Sequence, residues 1–356
     1  MTNHTGATQS LRHLVMDAGF CTNCGACVNL CPYYASGNDR AAVLDECAIA
    51  EGACHDLCPR MPTDFSALSK LLFDERDLTA EIGAVKAFFV ARARDENIRR
   101  NAQHGGTVTA LVDLALSIGL IDSAVLTKTD GPLQPVSSAV SLADQARTSG
   151  RSHFIATPNV ATFNELAKGP ARSIGVVATP CQALALAKMR IGKSERIREN
   201  SKKIGLVVGL FCGWALSASP FEQLLRDNVD VDTITGMDIP PSQYHSLEVL
   251  TKGGPVDISL DLVEKCVRSS CRSCHDLTAE FSDISVGSAR LPEGWKEAKS
   301  WNQVIVRTET GKKLIEIARE KGILEFRDVP EGNLERLKKA SLNKKEKAME
   351  ESKSSC

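Results

Sequence analysis

The chain has 356 residues, of which 43% are hydrophobic and 24% charged, and its 43 basic and 44 acidic side chains leave a formal net charge of −1. A nucleic-acid-binding surface is typically strongly basic, so this balance argues against that class of partner. The composition is also too apolar and too weakly charged for a disordered chain. At roughly 150 residues per domain, the length indicates two domains, or one large domain with a small appendage.

Composition along the chain predicts four segments. Residues 1–18 form a polar lead, 19–66 a cysteine-rich cassette, 67–330 a large domain and 331–356 a charged helical tail. The lead has no apolar run of signal-peptide length. The longest uncharged stretch, 204–221, contains glycines and a proline, and it falls short of the ~20 apolar residues that span a bilayer. We therefore expect a cytoplasmic protein without a membrane span, whose thiols stay reduced.

Strand and helix patterns alternate through the large domain. The predicted strands are 85–91, 121–126, 173–178, 204–211, 233–238, 246–251, 256–260, 283–287 and 302–308. The predicted helices are 107–118, 159–168, 181–190, 219–228, 310–321 and 331–349. This alternation is typical of an α/β layered domain. We predict that the last helix is solvated; the alternative is a docking element for a partner subunit.

The cassette is defined by its cysteines, seven of the chain's 13 within 38 residues. Cys21, Cys24, Cys27 and Cys31, followed by Pro32, have the spacing C-x2-C-x2-C-x3-C-P. This is the bacterial ferredoxin run, in which the first three thiolates bind one iron–sulfur cluster and the fourth binds the other. Structural zinc also uses C-x2-C pairs, but rarely in this arrangement. The spacing therefore predicts a ferredoxin-like iron–sulfur cassette.

The second half of the cassette is irregular, because Glu51 stands where a full ferredoxin run would have a cysteine. By reciprocity, Cys58 should complete the four-iron cluster of Cys21, Cys24 and Cys27. Three cysteines are left for a second cluster, namely Cys31, Cys47 and Cys54. They suit a three-iron cluster, or a four-iron cluster with Glu51, His55 or water as fourth ligand. A single working cluster is the remaining alternative.

Further cysteines follow strands of the large domain. Cys181 and Cys212 lie at the carboxyl ends of two predicted strands, where α/β sheets build their sites. The spacing Cys266-x4-Cys271-x2-Cys274 matches the plant-type ferredoxin run. Zinc is the competing interpretation of this spacing. Taken singly, Cys181 or Cys212 could also be an inert core cysteine, and Cys181 a nucleophile at a helix N-terminus.

A glycine pair, Gly105-Gly106, precedes the helix predicted to begin at Thr107, and such a pair allows close approach of a phosphate or serves a tight turn. It is not a dinucleotide-binding fingerprint. Five stretches follow one another between roughly residues 85 and 310: GGTVTALVDLAL, VVATPCQALALAKM, IGLVVGLFCG, CRSCHDLTAEFSDISVGSARLPEGW and VIVRTETG. Together and in this order, they resemble the coenzyme F420 hydrogenase/dehydrogenase beta subunits.

The resemblance implies a layered flavin-binding domain in which FAD lies between a four-iron cluster and coenzyme F420. The implied cluster ligands are Cys181, Cys212, Cys271 and Cys274, with Cys266 left as a less favoured fifth. The implied flavin loops contain Gly105, Gly106, Thr107, Thr109, Ser285, Gly287, Ser288, Gly294 and Trp295. His153 stands where the family usually has a lysine, which weakens the expectation of an anionic deazaflavin. No catalytic residue is implied beyond the flavin site.

These features predict an F420-linked oxidoreductase subunit with FAD and two or three iron–sulfur clusters. It would pass electrons from reduced F420 to a partner, either a hydrogenase, a dehydrogenase or a heterodisulfide-reductase-like complex, or to ferredoxin. Association with a membrane through such a complex stays open. The alternatives are a ferredoxin-dependent reductase of an organic substrate and a non-catalytic electron-transfer subunit.

Overall fold

The structure, a computed structural model, describes residues 6–37, 39–49, 52–129, 133–151 and 153–354. Its strands are β1 (Tyr34–Ser36), β2 (Ala41–Val43), β3 (Leu78–Thr79), β4 (Gly83–Ala84), β5 (Ala87–Ala93), β6 (Ser123–Thr129), β7 (Pro135–Val140), β8 (Ile174–Ala178), β9 (Ile204–Leu210), β10 (Ile234–Asp238), β11 (Ser246–Thr251), β12 (Gly254–Ser259), β13 (Ile284–Ser288), β14 (Asn302–Val306) and β15 (Leu324–Arg327). Its helices are α1 (Ala7–Leu11), α2 (Ala53–Leu57), α3 (Phe65–Leu72), α4 (Glu96–Asn101), α5 (Thr107–Ser117), α6 (Ala143–Ala146), α7 (Asn159–Lys168), α8 (Pro180–Arg190), α9 (Glu195–Lys202), α10 (Ala218–Asn228), α11 (Leu260–Glu264), α12 (Ser269–Arg272), α13 (Trp295–Ala298), α14 (Glu309–Glu320) and α15 (Asn333–Ser354).

An eight-stranded mixed sheet forms the centre of the large domain, in the order β15-β5-β14-β13-β9-β8-β6-β7. Strands β13, β9, β8 and β6 pair in parallel, and the flanking pairs are antiparallel. Every residue of β8 is buried, as expected for a parallel strand covered on both faces. The predicted α/β class is therefore confirmed, with a mixed sheet.

Helices cover both faces of this sheet. Adjacent residues of β8 join different apolar clusters: Val177 packs with Leu111 of α5 and Leu314 of α14, whereas Val176 packs with Phe163 of α7 and Leu186 of α8. The large domain therefore has three layers, with the sheet between two layers of helices. The side of α7 and α8 also receives buried residues of the cassette, Ala26, Leu30 and Leu57. The cassette is therefore an extension of the large domain's core.

The amino-terminal lead is not a free polar segment. Residues 7–17 form α1 and a continuing π-helical stretch, Arg12–Asp17. Their buried side chains, Ala7, Leu11, Val15 and Met16, pack with cassette residues that include Val28 and Tyr34. The prediction of a polar lead is wrong over these residues, because a four-residue apolar spacing is hidden among polar neighbours. Residues 1–5 lie outside the described part.

The carboxyl-terminal helix is present but is not solvated as predicted. Leu337, Ser341 and Ala348 of α15 are buried, and the Ser341 hydroxyl donates to the Glu81 carbonyl at 2.7 Å. Cys356 lies beyond the described residues. Over the residues that the structure describes, no helix combines the length and hydrophobicity needed to cross a bilayer.

Candidate functional site

The four thiols that the resemblance assigns to an internal cluster lie at one edge of the central sheet. Cys181 is the second residue of α8, directly after β8, and Cys212 follows β9, the parallel neighbour of β8. Cys271 lies in α12, and Cys274 follows that helix. Burial raises the pKa of the Cys212 thiol, and Cys271, Cys181 and Cys274 raise it further against the lowering effect of Lys344. These four cysteines, the internal set, therefore lie close to one another.

The donor chemistry of the internal set fits an iron–sulfur cluster. The Ala215 amide donates to Cys271 Sγ at 3.3 Å, and hydrogen bonds to the sulfurs are among the features that tune such clusters. Among the described residues, no three His, Cys, Asp or Glu side chains are arranged to hold a single metal ion. A single zinc ion would hold its sulfurs about 2.3 Å from one centre, whereas in a four-iron cluster each cysteine binds a separate iron.

Cys266 lies apart from the internal set. Its thiol is buried in an apolar cluster with Leu216 and Phe221 and points toward the Leu262 carbonyl at 3.8 Å. Burial alone raises its pKa, without a contribution from another thiol. The structure therefore separates the first cysteine of the plant-type spacing from Cys271, and the lower rank of Cys266 as a ligand stays a prediction.

The cassette thiols form two neighbouring sets. Burial raises the pKa of Cys27, and Cys24, Cys21 and Cys58 raise it further. The pKa of Cys54 is also raised by burial, with smaller contributions from Cys31 and Cys47; the Tyr34 hydroxyl opposes this rise by donating to Cys54 Sγ at 3.7 Å. We call Cys21, Cys24, Cys27 and Cys58 the first set, and Cys31, Cys47 and Cys54 the second set. Glu51, a suggested further ligand, lies outside the described residues.

The first set and the internal set are in direct electrostatic contact. After burial, the largest contribution to the raised pKa of Cys24 comes from Cys181. The guanidinium of Arg60, two residues after Cys58, donates to the carbonyls of Ser270 and Ser273 in the segment that carries Cys271 and Cys274. The two predicted cluster sites therefore adjoin each other.

Two further cationic side chains stabilise the contact between the first set and the internal set. Arg268, next to α12, donates to the Cys21 carbonyl at 2.8 Å and pairs with Asp39 at 2.9 Å. Lys188 of α8 is buried and donates to the Cys58 carbonyl at 2.8 Å. Burial lowers the pKa of Lys188, and the Cys58 thiol opposes that effect. Neither residue has a signal in the sequence beyond a basic side chain near apolar ones.

The loops that resemble a flavin site also come together, through residues that sequence reasoning missed. Asn302, at the start of β14, accepts from the Thr107 amide at 3.2 Å and donates to the Gly287 carbonyl at 3.3 Å. His104 contacts Ser288, with Nδ1 3.4 Å from its hydroxyl, and packs edge-on against Trp295 with ring centroids 5.4 Å apart. One asparagine and one histidine thus connect the two glycine-containing loops.

An unpaired polar atom lies where these loops meet. Among the described residues, His104 Nε2 is buried without a hydrogen-bond partner, and Oδ1 of the Asp238 carboxylate lies 3.4 Å from it. The Gln103 amide also donates to Asp238, at 2.6 Å. A buried ring nitrogen of this kind needs a partner such as a cofactor group supplies. Together with the open space around Gly294, whose φ is +94°, this fits a cofactor site.

Several residues of the implied flavin loops have structural partners inside the protein. The Thr107 and Ser285 side chains are fully buried, and Ser285 accepts from Arg307 at 2.7 Å. Gly106 has a φ of +75°, and a side chain at Gly287 would collide with the Phe211 ring. Gly105 and Thr109 are also buried. We therefore expect Thr107 and Ser285 to support the loops from behind rather than to touch a ligand.

His153 lies beside the carboxyl end of β6, one of the parallel strands of the central sheet. Its Nε2 is 3.3 Å from the Thr129 hydroxyl, at the end of β6. Burial lowers its pKa, and the neighbouring Arg151 lowers it further. Both effects favour a neutral imidazole, so His153 does not reproduce the charge of a lysine.

Comparison with known proteins shows the class of protein to which the chain belongs. A 4Fe-4S binding domain model matches residues 14–35, which include the first four cassette cysteines, so the chain is an iron–sulfur protein. Models of the coenzyme F420 hydrogenase/dehydrogenase beta subunit match at residues 88–164 (N-term) and 171–332 (C terminus). The chain belongs to this family, as predicted.

Three similar proteins illustrate the range of this family. A subunit of an F(420)H(2) dehydrogenase from Methanosarcina mazei is 30% identical, over 90% of this chain and 88% of that protein. A coenzyme F420-dependent sulfite reductase from Methanocaldococcus jannaschii is 27% identical, over 91% of this chain but only 50% of that protein. A chain of the F420-reducing [NiFe] hydrogenase complex from Methanosarcina barkeri has the same fold, with a TM-score of 0.70 and 24% identity over 76% of this chain and 92% of that one.

Proposed function

We propose that this chain is the iron–sulfur flavoprotein subunit of an F420-linked oxidoreductase, passing electrons from reduced F420 to a partner redox protein. The observation that carries the proposal is the position of the internal set. On one side, Cys181 of this set influences Cys24 of the first set. On the other side, Phe211, which precedes Cys212, places its ring against Gly287 of the implied flavin loop.

A bound flavin would accept a hydride and release single electrons, and iron–sulfur clusters would carry those electrons onward. The internal set and the first set would each hold a four-iron cluster, and the second set a three-iron or four-iron cluster. The loops around Gly294 and Trp295 would enclose FAD, with His104 and Asn302 fixing their shape. His153 would face the F420 side without supplying a positive charge.

The partner would be a hydrogenase, a dehydrogenase, a heterodisulfide-reductase-like complex or ferredoxin, and we propose a cytoplasmic location. The sulfite reductase from Methanocaldococcus jannaschii supports a second candidate function. Because this chain matches half of that protein, it could supply electrons to a reductase of an organic or inorganic substrate on a separate chain.

The first test is the content of iron, sulfide and FAD per chain, followed by anaerobic mixing with reduced F420. We expect the flavin absorption to bleach within one turnover. Reduction by ferredoxin but not by F420 would favour a ferredoxin-dependent reductase of an organic substrate, and clusters without flavin absorption would leave only an electron-transfer role.

The second test concerns the internal set. We expect Cys271→Ala to remove one cluster's signal from the EPR spectrum of the reduced protein. Cys266→Ala is the matched control, because Cys266 lies in the same segment but faces an apolar cluster. An unchanged spectrum in Cys271→Ala would contradict the ligand assignment.

A further inference from the structure

The carboxyl-terminal helix lies against the internal set. α15 spans Asn333–Ser354 and so begins directly after residue 332, where the match to the family model ends. Leu337 packs in a cluster with Ile82 and Ile305, and Ser341 is hydrogen-bonded to Glu81. These contacts fix the helix on the large domain over its first half. Helix α15 is thus packed against the large domain and is not a solvated extension.

The next turn of the helix brings a cation to the internal set. Lys344 Nζ donates to the Cys212 carbonyl at 2.7 Å and to the Asp276 carbonyl at 2.8 Å. The same Asp276 carbonyl lies 3.6 Å from Cys274 Sγ. Lys344 is therefore bound to the main chain beside two of the four proposed ligands, Cys212 and Cys274.

The neighbouring lysine is held differently. Lys345 pairs with the Glu280 carboxylate at 2.8 Å and donates to the Ala80 carbonyl at 2.9 Å. Lys345 is thus paired with an acidic side chain, whereas the two acceptors of Lys344 are carbonyl oxygens. The charge of Lys344 therefore acts on its surroundings, which are the thiols of Cys274, Cys212 and Cys271 together with the Asp276 carboxylate.

We propose that Lys344 is a tuning residue that raises the reduction potential of the internal cluster. The inference rests on the proposed function, since it requires a cluster at the internal set. Reduction adds one negative charge to a cluster, and a fixed cation at short range in a poorly solvated region stabilises the reduced form. The carbonyls of Cys212 and Asp276 hold the Lys344 ammonium in place. Its distance from the sulfurs is therefore set by the main chain and does not vary with the flexibility of the lysine side chain.

The test is a potentiometric EPR titration of the full-length protein with its clusters. We expect Lys344→Gln to weaken reduction of the internal cluster at least tenfold, which equals a potential about 59 mV lower for one electron. Lys344→Arg should keep the potential within about threefold in the equilibrium constant, because the charge is kept. Lys347→Gln is the matched control on the same helix, since Lys347 is exposed.

The outcomes separate the tuning role from a purely structural role. An unchanged potential in Lys344→Gln, with wild-type iron content, would overturn the proposal. Loss of the internal cluster in both Lys344→Gln and Lys344→Met, with retention in Lys344→Arg, would make the lysine a structural clamp and would overturn it as well. If Cys271→Ala keeps the wild-type spectrum, the proposed cluster itself is wrong, and that failure is distinct from a failure of tuning.

Discussion

Gly25 provides a test of how closely the cassette is packed on the large domain. It lies between Cys24 and Cys27 with a φ of +85°, and a Cβ at this position would come within 2.6 Å of the Ala161 amide and 2.8 Å of the Pro158 carbonyl. Gly119, which follows α5, has a φ of +70° and open space around it. Alanine would have the same backbone strain at either position, but only at Gly25 would its Cβ collide with neighbouring atoms.

The magnitudes follow from this difference. Left-handed backbone costs an L-residue about 1–2 kcal/mol, and forcing an extra carbon into a packed contact costs about 1–3 kcal/mol more. Because about 1 kcal/mol lowers the Tm of a domain of this size by roughly 2–4 °C, Gly25→Ala should unfold several degrees below Gly119→Ala in anaerobic thermal scans. Iron per chain should also fall only in Gly25→Ala. Equal Tm values and equal iron content would refute the reasoning.

Two further predictions concern the flavin loops and the charges under α15. Asn302→Ala leaves the Thr107 amide and the Gly287 carbonyl without their partner, so FAD per chain should fall while iron stays at the wild-type level; unchanged FAD would contradict a bridging role. Burial raises the pKa of Glu280 from 4.5 to about 7, with Asp276 adding to the effect. The native state then keeps a proton that the unfolded state loses, so stability should fall as the pH rises from about 4.5 to about 7, by up to about 1.4 kcal/mol per pH unit. Glu280→Gln should flatten this slope in anaerobic denaturant titrations, and parallel curves would reject the assignment.

The elements that the sequence predicts well are those with a buried face on a regular period. Helix α7 matches its predicted range and α5 matches within one residue, because their apolar residues follow the helical repeat. Helix α8 also matches within one residue, although it is buried almost all round. The edge strands β7 and β15 are absent from the predicted set. An edge strand pairs on one side only, and the burial of these two is mostly partial, so neither has a strong apolar signal.

Charge misleads the interpretation of the carboxyl-terminal helix. The many lysines and glutamates of the tail indicate a solvated helix, yet Leu337, Ser341 and Ala348 recur on one face and are buried. Only tertiary contact distinguishes such a weak stripe from an exposed one. The lysine that contacts Cys212 cannot be recognised from sequence for the same reason, since Lys344 and Lys345 are adjacent and only the structure gives them different partners.

Cysteine spacing, by contrast, carries information that does not depend on packing, because a cluster requires thiolates at a few fixed separations. Spacing still leaves open how the sets relate to one another. Their order in space follows from contacts: the internal set adjoins Cys24, and the first set adjoins the second through Cys27 and Cys54. Leu44 and Ile49, which flank Cys47 of the second set, are 64% and 62% exposed. A partner that bound these two apolar side chains would lie beside the second set, and we expect electrons to leave the chain there.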